Sequence, residues 1–429
     1  MTSTLFTNVR VLDATGAPPF PGEVLVEGSR IKAVARGGAG IGAPGAEVVD
    51  GGGATLMPGM LDVHTHMSFT NGYSNPLDTV AVPPEDHTII TMKHAKLLLD
   101  QGFTSCFGAA AGKMRIDVAI RNAINAGDIP GPRFKASSLQ LCPTGGFGDE
   151  RLAHFDQGNP IHVLCCDGAE QFRAAARTVC REGVDVIKIV PSGSSLGFGP
   201  DDLSEDTLMT FDEVAAVTAV AKSRNRKVAA HARSAESVKI CVRAGVDVIY
   251  HAALADEEAL DVMEAHKDTV FFGPSIALPV TRLEKDTGVL TGPHATPRAR
   301  LEAEIVAVSE VSKKLLKRGV RVLPGGDYGF ISCPHGENAR DIEFFVRLFD
   351  MTPMQAICAG TAYAGALMGL PGELGLVKEG YLADLLLVDG DPLADVTILQ
   401  HQSRLLGIMK DGRFHKKPAV RQSMRQAAE

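Results

Sequence analysis

The sequence predicts an α/β protein: a (β/α)8 TIM barrel with a small β-sandwich domain formed by both chain termini. Short apolar strands bounded by Gly, Pro or Asp occupy residues 1–57 and return in residues 371–429. Between them, residues 58–370 alternate apolar strands with helical stretches, as the βα units of a parallel sheet do. Neither terminal piece is large enough to bury a sheet face alone. We therefore expect the two pieces to form one composite domain, into which the barrel is inserted.

Repeated helix–Gly–strand units favour the barrel. Gly183, Gly245 and Gly319 each follow a helical stretch and precede a Val-rich run, and Gly is favoured at the left-handed position where a helix ends. The helix before Gly319 is predicted to have Thr296 as its N-cap and Pro297 in its first turn. No Gly-rich phosphate-binding loop opens a helix, so the units favour a barrel over an open doubly wound sheet.

Two local signals fix shorter elements. Thr210-Phe-Asp-Glu213 has the pattern of a capping box at a helix start. Asp411-Gly412 lies between two apolar runs near the C-terminus, which is a strong hairpin signal.

Composition narrows the functional classes. The 429 residues are 45% hydrophobic and 22% charged, as in globular proteins, and the formal net charge of −8 argues against nucleic acid or an anionic membrane as partner. The chain has neither an apolar stretch of membrane-spanning length nor a secretory signal, so we expect a cytoplasmic protein with a small-molecule substrate.

Its eight cysteines include no C-x-x-C pair and are expected to be reduced thiols. A homo-oligomer is expected on symmetry grounds.

Leu61-Asp-Val-His64-Thr-His66 opens the barrel region and is the first candidate metal motif. Because side chains alternate along a strand, His64 and His66 point the same way and are able to hold one metal. The pair alone is equally compatible with two histidines that are hydrogen-bonded within the core.

Lys188 lies within Val-Asp-Val-Ile-Lys-Ile-Val, which is typical of a buried strand. An unpaired ammonium there costs several kcal/mol. One explanation is a structural ion pair, with Asp185 as the candidate partner. The other is that burial lowers the pKa of the amine, so that it adds carbon dioxide and becomes a carbamate able to bridge two cations.

Three more candidates follow later strands. His231 and His251 end two successive strands and are 20 residues apart, one helix plus one strand, which places both at the same rim of the barrel. Asp327 follows a late strand in a Gly-rich loop, where it is either a metal ligand or a turn former. Together these nitrogen and oxygen ligands at strand ends predict a catalytic site of the zinc class.

The motifs PGMLDVHTH, the strand lysine, the two strand-end histidines, the late Asp and the tail GLVKEGYLADLLLVDGDPL resemble the amidohydrolase superfamily. Within it, the chain looks most like the imidazolonepropionase-related hydrolases, which include ochratoxin-type amidases, Xaa-Pro dipeptidases, and phenylurea and thiocarbamate hydrolases. The resemblance implies a binuclear centre with two divalent ions, expected to be Zn. The first metal is bound by His64, His66 and Asp327, and the second by His231 and His251. A carboxylated Lys188 bridges the two.

The resemblance also implies the reaction. It is hydrolysis of a C–N bond in a small amide, urea or carbamate, by hydroxide that the metals generate from water. Asp327 passes the proton to the departing amine. Dipeptidase-like relatives usually carry Gly-Gly-His-Gly where this chain has Gly-Gly-Phe147-Gly, and Glu where it has Tyr250, which places the chain closer to the phenylurea hydrolases. The candidate substrate-binding residues are Ser68, Arg233, Tyr250 and His335.

Three alternatives remain. If Arg233 clamps a carboxylate, a dipeptide or an N-acyl amino acid becomes the better substrate. A mononuclear deaminase is the second, although related deaminases carry Glu where this chain has Ser234 and lack the strand lysine. The third is a noncatalytic assembly barrel, which the complete set of ligand positions disfavours.

Overall fold

The structure is a computed structural model that describes residues 3–37, 40–72, 81–149, 163–194, 203–285 and 296–419. Its contacts divide the chain into two compact units. The first comprises Met1–Leu61, Leu98–Ser105 and Met351–Glu429, and the second Asp62–Leu97 and Cys106–Asp350. The first unit therefore joins segments from both ends of the chain. The domain limits predicted from the sequence, 1–57 with 371–429 and 58–370, stay a prediction.

The described residues form strands and helices throughout both units. The strands, in chain order, are β1 Ser3–Val11, β2 Phe20–Glu27, β3 Arg30–Arg36, β4 Glu47–Asp50, β5 Thr55–Pro58, β6 Met60–Thr65, β7 Phe103–Gly108, β8 Arg133–Lys135, β9 Ser137–Cys142, β10 Val163–Cys165, β11 Val186–Ile189, β12 Lys227–Ser234, β13 Val248–Leu254, β14 Phe271–Gly273, β15 Arg321–Val322, β16 Leu385–Val388, β17 Leu405–Lys410 and β18 Arg413–Lys416. The α-helices are α1 Pro84–Asp100, α2 Ile116–Ala126, α3 Gly168–Arg181, α4 Phe211–Ser223, α5 Ala235–Arg243, α6 Glu257–Ala265, α7 Ala277–Glu284, α8 Arg298–Lys317, α9 Arg340–Phe349, α10 Pro353–Ala359 and α11 Ala364–Met368.

The first unit contains an eight-stranded mixed sheet. Its hydrogen-bonded order is β18-β17-β16-β5-β1-β2-β3, and β4 pairs with β1. The N-terminal and C-terminal strands meet where β5 and β16 pair antiparallel, with Leu386 opposite Met57. One apolar cluster, which includes Phe6, Val24, Leu56 and Leu385, draws on both ends of the chain. The predicted combination of the two terminal β segments is therefore present as a shared sheet.

The second unit is built around parallel strands that alternate with helices. Seven strands pair in the order β10-β9-β11-β12-β13-β14-β15, all parallel, and β6-β7-β8 form a further sheet. Hydrogen bonds also run from Val63 N to the Pro324 carbonyl oxygen (2.9 Å) and from Ala111 N to the Ser138 carbonyl oxygen (2.8 Å). The side chains at the carboxyl ends of these strands are the ones that the sequence analysis singled out.

The local signals have mixed outcomes. The capping box at Thr210 and Glu213 is confirmed, since each side chain accepts from the other residue's backbone NH at the start of α4. Gly319 follows α8 with a φ of +78°, as a helix-ending glycine should. The predicted cap at Thr296 is wrong: α8 begins at Arg298 with Pro297 as N-cap and no side-chain cap. Proline's fixed φ suits a helix start without any help from the preceding threonine.

The structure has no disulfide among the eight cysteines, and none of the eight is exposed. Among the described residues, no helix is long and apolar enough to cross a membrane.

The Asp411-Gly412 hairpin offers a test of the shared sheet. The turn joins β17 to β18, and both residues have positive φ, as a tight hairpin requires. A Cβ on Gly412 would lie 1.9 Å from the carbonyl oxygen of Gly28, whereas Gly53 has a similar φ and open space around it. We expect Gly412→Ala and Gly53→Ala both to lose about 1–2 kcal/mol from left-handed strain. Gly412→Ala should lose clearly more in urea unfolding, and equal losses would contradict the close approach.

Candidate metal centre

The two histidines of the H-x-H motif converge at the end of β6. Their Nε2 atoms lie 3.2 Å apart, and both rings are almost fully buried. His64 Nδ1 lies 2.6 Å from Ser275 Oγ, and His66 Nδ1 lies 3.2 Å from the Ala110 carbonyl oxygen. Because a carbonyl oxygen only accepts, this contact keeps the proton of His66 on Nδ1 and leaves the lone pair of Nε2 free. Both rings thus aim an Nε2 atom at one point.

Asp327 completes a three-ligand set. It follows β15 in a left-handed conformation (φ +66°), and its Oδ1 lies 3.0 Å from His66 Nε2 and 3.5 Å from His64 Nε2. The preceding Gly325 is required here, since a Cβ would lie 2.6 Å from the His64 backbone nitrogen. The ligand atoms of His64, His66 and Asp327 all lie within 4.8 Å of one another. Burial alone would raise the pKa of Asp327, but the imidazoles and Lys188 outweigh burial and lower it, so the group is a carboxylate.

Lys188 lies in β11 and is 1% exposed. Its Nζ lies 4.2 Å from the centroid of the Tyr250 ring. Within the described part of the chain, no carboxylate reaches ion-pair distance of this amine. Asp185, the partner considered from the sequence, is instead paired with Arg121 at 2.5 Å, so that interpretation is wrong. Burial lowers the pKa of Lys188 to about 7, with Asp327 opposing this shift and Arg233 adding to it.

His231 and His251 lie on β12 and β13, with ring centroids 4.4 Å apart, and His251 lies 5.5 Å from the ring of His64. The structure therefore brings both predicted histidine pairs together. Burial lowers the pKa of His231 and of His251 well below the ordinary value, and Arg233 lowers both further. The rings are neutral at physiological pH, which is the form that binds metal ions.

The donor set fits a divalent cation. His251 Nε2 and Asp327 Oδ1 are buried without a hydrogen bond of normal geometry to the described residues. Such atoms are rare in proteins unless an unobserved group satisfies them. Imidazole nitrogens with one carboxylate are the ligands of catalytic zinc sites.

The four predicted substrate-binding residues are buried, and each has partners inside the chain. Ser68 Oγ donates to Asp117 Oδ1 (2.7 Å) and accepts from Gly112 N (2.8 Å), so its hydroxyl group is engaged on both sides. Tyr250 donates to the Val63 carbonyl oxygen (2.7 Å), and its ring stacks on His64 at a centroid distance of 3.7 Å. These contacts let Ser68 and Tyr250 support the residues around the ligands, and substrate binding by the two residues stays a prediction.

Arg233 and His335 also have internal partners. Arg233 forms an ion pair with Glu304 of α8, and its side chain is only 2% exposed. The Nε2 atom of His335 lies 2.9 Å from the His66 carbonyl oxygen. Substrate binding by these two residues stays a prediction. Phe147, from the loop that departs from the dipeptidase pattern, stacks on His231 at 4.7 Å.

Sequence reasoning missed the residues that hold the segment after β6. Three imidazoles donate to three successive backbone carbonyl oxygens: His335 to that of His66, His94 Nδ1 to that of Met67 (3.1 Å), and His87 Nε2 to that of Ser68. His87 and His94 are seven residues apart on α1, which puts them on one helix face. The seven-residue spacing of these two histidines is visible in the sequence, but it does not reveal that they bind backbone carbonyl oxygens.

Asp62 lies in β6, two residues before His64. Its carboxylate accepts hydrogen bonds from His64 N (2.9 Å) and from Asn338 Nδ2 (2.7 Å). The Asn338 contact connects β6 to the loop that follows Asp327. Asp62 lies within the PGMLDVHTH motif, but neither the motif nor the sequence around Asn338 reveals that the two side chains are partners.

A parallel α/β unit with His, His, Asp, Lys and two further histidines at its strand ends is the arrangement of a TIM-barrel-like enzyme whose ligand set fits a metal ion. The model of the amidohydrolase family matches residues 55–414. The chain belongs to this family and is a hydrolase that acts on carbon–nitrogen bonds.

Individual relatives agree. Ochratoxinase of Aspergillus niger is 28% identical over 85% of this chain and 76% of its own length. Imidazolonepropionase of Rubrobacter xylanophilus is 23% identical over 91% of this chain and 90% of its own. The crystal structure of a Xaa-Pro dipeptidase with bound methionine in its active site has a TM-score of 0.82 and 26% identity, covering 97% of this chain and 100% of the other. The resemblance drawn from the motifs is confirmed.

The His94 contact is testable by conservative exchange. Asn carries an amide nitrogen near the place of Nδ1, so we expect His94→Asn to keep the hydrogen bond to Met67. His94→Leu leaves that buried carbonyl oxygen without a donor, at a cost of about 1–3 kcal/mol. Thermal and urea unfolding should therefore separate the two variants. Equal stability of the Asn and Leu variants would show that the bond contributes nothing.

Proposed function

We propose that the protein is a binuclear metal-dependent hydrolase that cleaves a C–N bond in a small amide, urea or carbamate. The observation that carries this proposal is Lys188, an almost fully buried amine with no carboxylate partner in the described chain, whose charge is coupled to His64, His231 and Asp327. A structural lysine at such a position would require a counter-ion. A lysine that forms a carbamate requires instead a lowered pKa and nearby cations.

In this proposal His64, His66 and Asp327 would hold the first metal, His231 and His251 would hold the second, and carboxylated Lys188 would be a ligand shared by the two. Since the pKa of Lys188 is lowered to about 7, much of the amine is uncharged at neutral pH. The free amine adds carbon dioxide, forming an Nζ–C bond and releasing one proton. Zinc is the expected metal, and bound metal ions would lower the pKa of water and polarise a carbonyl.

The remaining steps belong to the chain's own groups. Asp327 is a carboxylate that lies at the centre, so the group is placed to accept the proton of the attacking water. The Asp327 carboxyl group then delivers the proton to the nitrogen of the departing amine, which is otherwise a poor leaving group. The imidazoles of His64, His231 and His251 stay neutral throughout, because burial lowers the pKa of each well below its ordinary value.

The proposal includes a closed (β/α)8 barrel as the scaffold and a β-sandwich as the terminal domain. The Val63 to Pro324 and Ala111 to Ser138 hydrogen bonds support closure, since they connect the three-stranded sheet to β15 on one side and to β9 on the other. A closed barrel would place every candidate ligand at one rim.

Two classes of substrate are candidates. The similarity to ochratoxinase supports the alternative of a dipeptide or N-acyl amino acid carboxypeptidase or amidase. The Arg233–Glu304 pair favours an uncharged urea, carbamate or amide, because the guanidinium already has a carboxylate partner. A mononuclear deaminase is less well supported, since Ser234 accepts from Ser237 N as the N-cap of α5. A small-molecule substrate, a cytoplasmic location and a homo-oligomer complete the proposal.

Metal analysis tests the binuclear centre before any substrate is known. We expect about two transition-metal ions per chain in the native protein, as binuclear catalysis requires, and about one in Lys188→Ala. Activity on a panel of amides, ureas and carbamates should fall in the variant and return in part with added short carboxylic acids. One metal per chain in the wild type, or unchanged turnover in the variant, would remove the bridging role.

Asp327→Asn tests the proton transfer. The amide cannot take up the proton, so we expect kcat to fall by about 10²–10⁴-fold with a much smaller change in KM. Metal content should be measured in parallel, because loss of a ligand also lowers occupancy. Equal losses in kcat and in substrate affinity at full occupancy would point to a structural aspartate.

A further inference from the structure

Arg233 brings a permanent positive charge to the second histidine pair. It lies in β12, two residues after His231, and its Nη1 pairs with Glu304 of α8. Its Nη2 lies 3.4 Å from Nδ1 of His251. The backbone of Arg233 is fixed as well, since its NH donates to Ser192 Oγ at 2.8 Å. The guanidinium therefore lies between a carboxylate and a candidate metal ligand.

The Arg233–His251 contact conflicts with metal binding by the same ring. A guanidinium has only donors, so Nδ1 of His251 must act as the acceptor. A neutral imidazole carries one proton, which then resides on Nε2, the buried atom that has no hydrogen-bond partner in the described chain. A metal needs the lone pair of Nε2. The contact with Arg233 and ligation through Nε2 thus exclude each other as long as His251 is neutral.

The charge of the guanidinium acts in the same direction. Arg233 Nη2 lies 3.4 Å from the ring of His251, so the guanidinium repels any cation that binds to this histidine. The first set differs, because it includes the Asp327 carboxylate, and its three ligand atoms already converge. The first metal position therefore has converging ligands and a negative charge, whereas the second lies beside the positive charge of the guanidinium.

We propose that Arg233 and Glu304 make the two metal positions unequal. The first metal binds at His64, His66 and Asp327. The second metal binds only when the Arg233 guanidinium leaves His251, and Glu304 then holds that guanidinium. This inference rests on the binuclear centre proposed above. Arg233 acts here as a positioning residue for His251. The apparent affinity for the second metal is reduced by the fraction of His251 that remains in contact with the guanidinium.

The two members of the pair have opposite expected effects. Arg233→Met keeps much of the side chain's length but removes its charge and donors, so His251 is free to ligate. We expect the dissociation constant of the second metal to fall by about 10-fold or more, a magnitude typical of groups that orient metal ligands. Glu304→Gln leaves the guanidinium without its counter-charge and free to stay on His251. The same constant should rise, while that of the first metal changes by less than about 3-fold in both variants.

The experiment is a zinc titration of the full-length protein after chelator treatment. It is done against a chromophoric competitor in bicarbonate buffer, and reports two stepwise dissociation constants without any substrate. Arg121→Met is the matched control, because Arg121 also forms a partly buried ion pair, with Asp185. It should leave both constants unchanged. Circular dichroism and thermal unfolding establish that each variant is folded.

The outcomes separate this inference from the proposed function. Opposite shifts of the second constant in Arg233→Met and Glu304→Gln support the inference. Shifts in the same direction indicate a merely structural pair and overturn it. Two metals bound with constants that ignore both substitutions also overturn it, but leave the binuclear centre in place. If neither the wild type nor any variant takes up a second zinc ion, the inference and the binuclear centre both fail.

Discussion

Desolvation is the constraint on which the rest of this site depends. Four imidazoles, a lysine and an aspartate lie at the strand ends with almost no exposure to water. An unpaired charge there costs several kcal/mol, so His64, His231, His251 and, in part, the Lys188 amine take their neutral forms. Asp327 remains ionised because its neighbours compensate for its burial. Burial, with Arg233 acting in the same direction, therefore prepares both the lone pairs that a metal needs and the free amine that a carbamate needs.

Groups that never touch the centre keep these side chains in place. Tyr250 supports two of them at once, since its ring stacks on His64 and lies beneath the Lys188 amine. Ser275 and the Ala110 carbonyl oxygen fix the imidazoles of His64 and His66 from behind. Such contacts orient metal ligands and preserve the tautomer that each must have. The precision of the centre is thus a property of several strands and loops rather than of the H-x-H motif alone.

The sequence predicts the ligands far better than their supports. H-x-H on a strand, a lysine in an apolar run and residues that end successive strands each leave a short-range pattern, and the structure brings all six together. Asp185 is near Lys188 in sequence, but side chains three residues apart along an extended segment point to opposite faces. Glu304 lies 71 residues from Arg233, so only the fold reveals their pairing. The hydrogen bond from His94 goes to a backbone carbonyl oxygen, which every residue has. The sequence therefore does not reveal which residue is the acceptor.

The sheet shared by the two termini has a consequence for how the protein is made. β5 receives its neighbour β16 only after residues 59–384 have been synthesised. At roughly 5–20 residues per second, this delay is on the order of tens of seconds. During that interval, the apolar edge of β5 lacks its partner strand in the nascent chain, although the βα units that follow β5 are already able to fold. An unpaired edge of this kind is a template for wrong strand pairing, which makes chaperone contact with the nascent N-terminal strands advantageous.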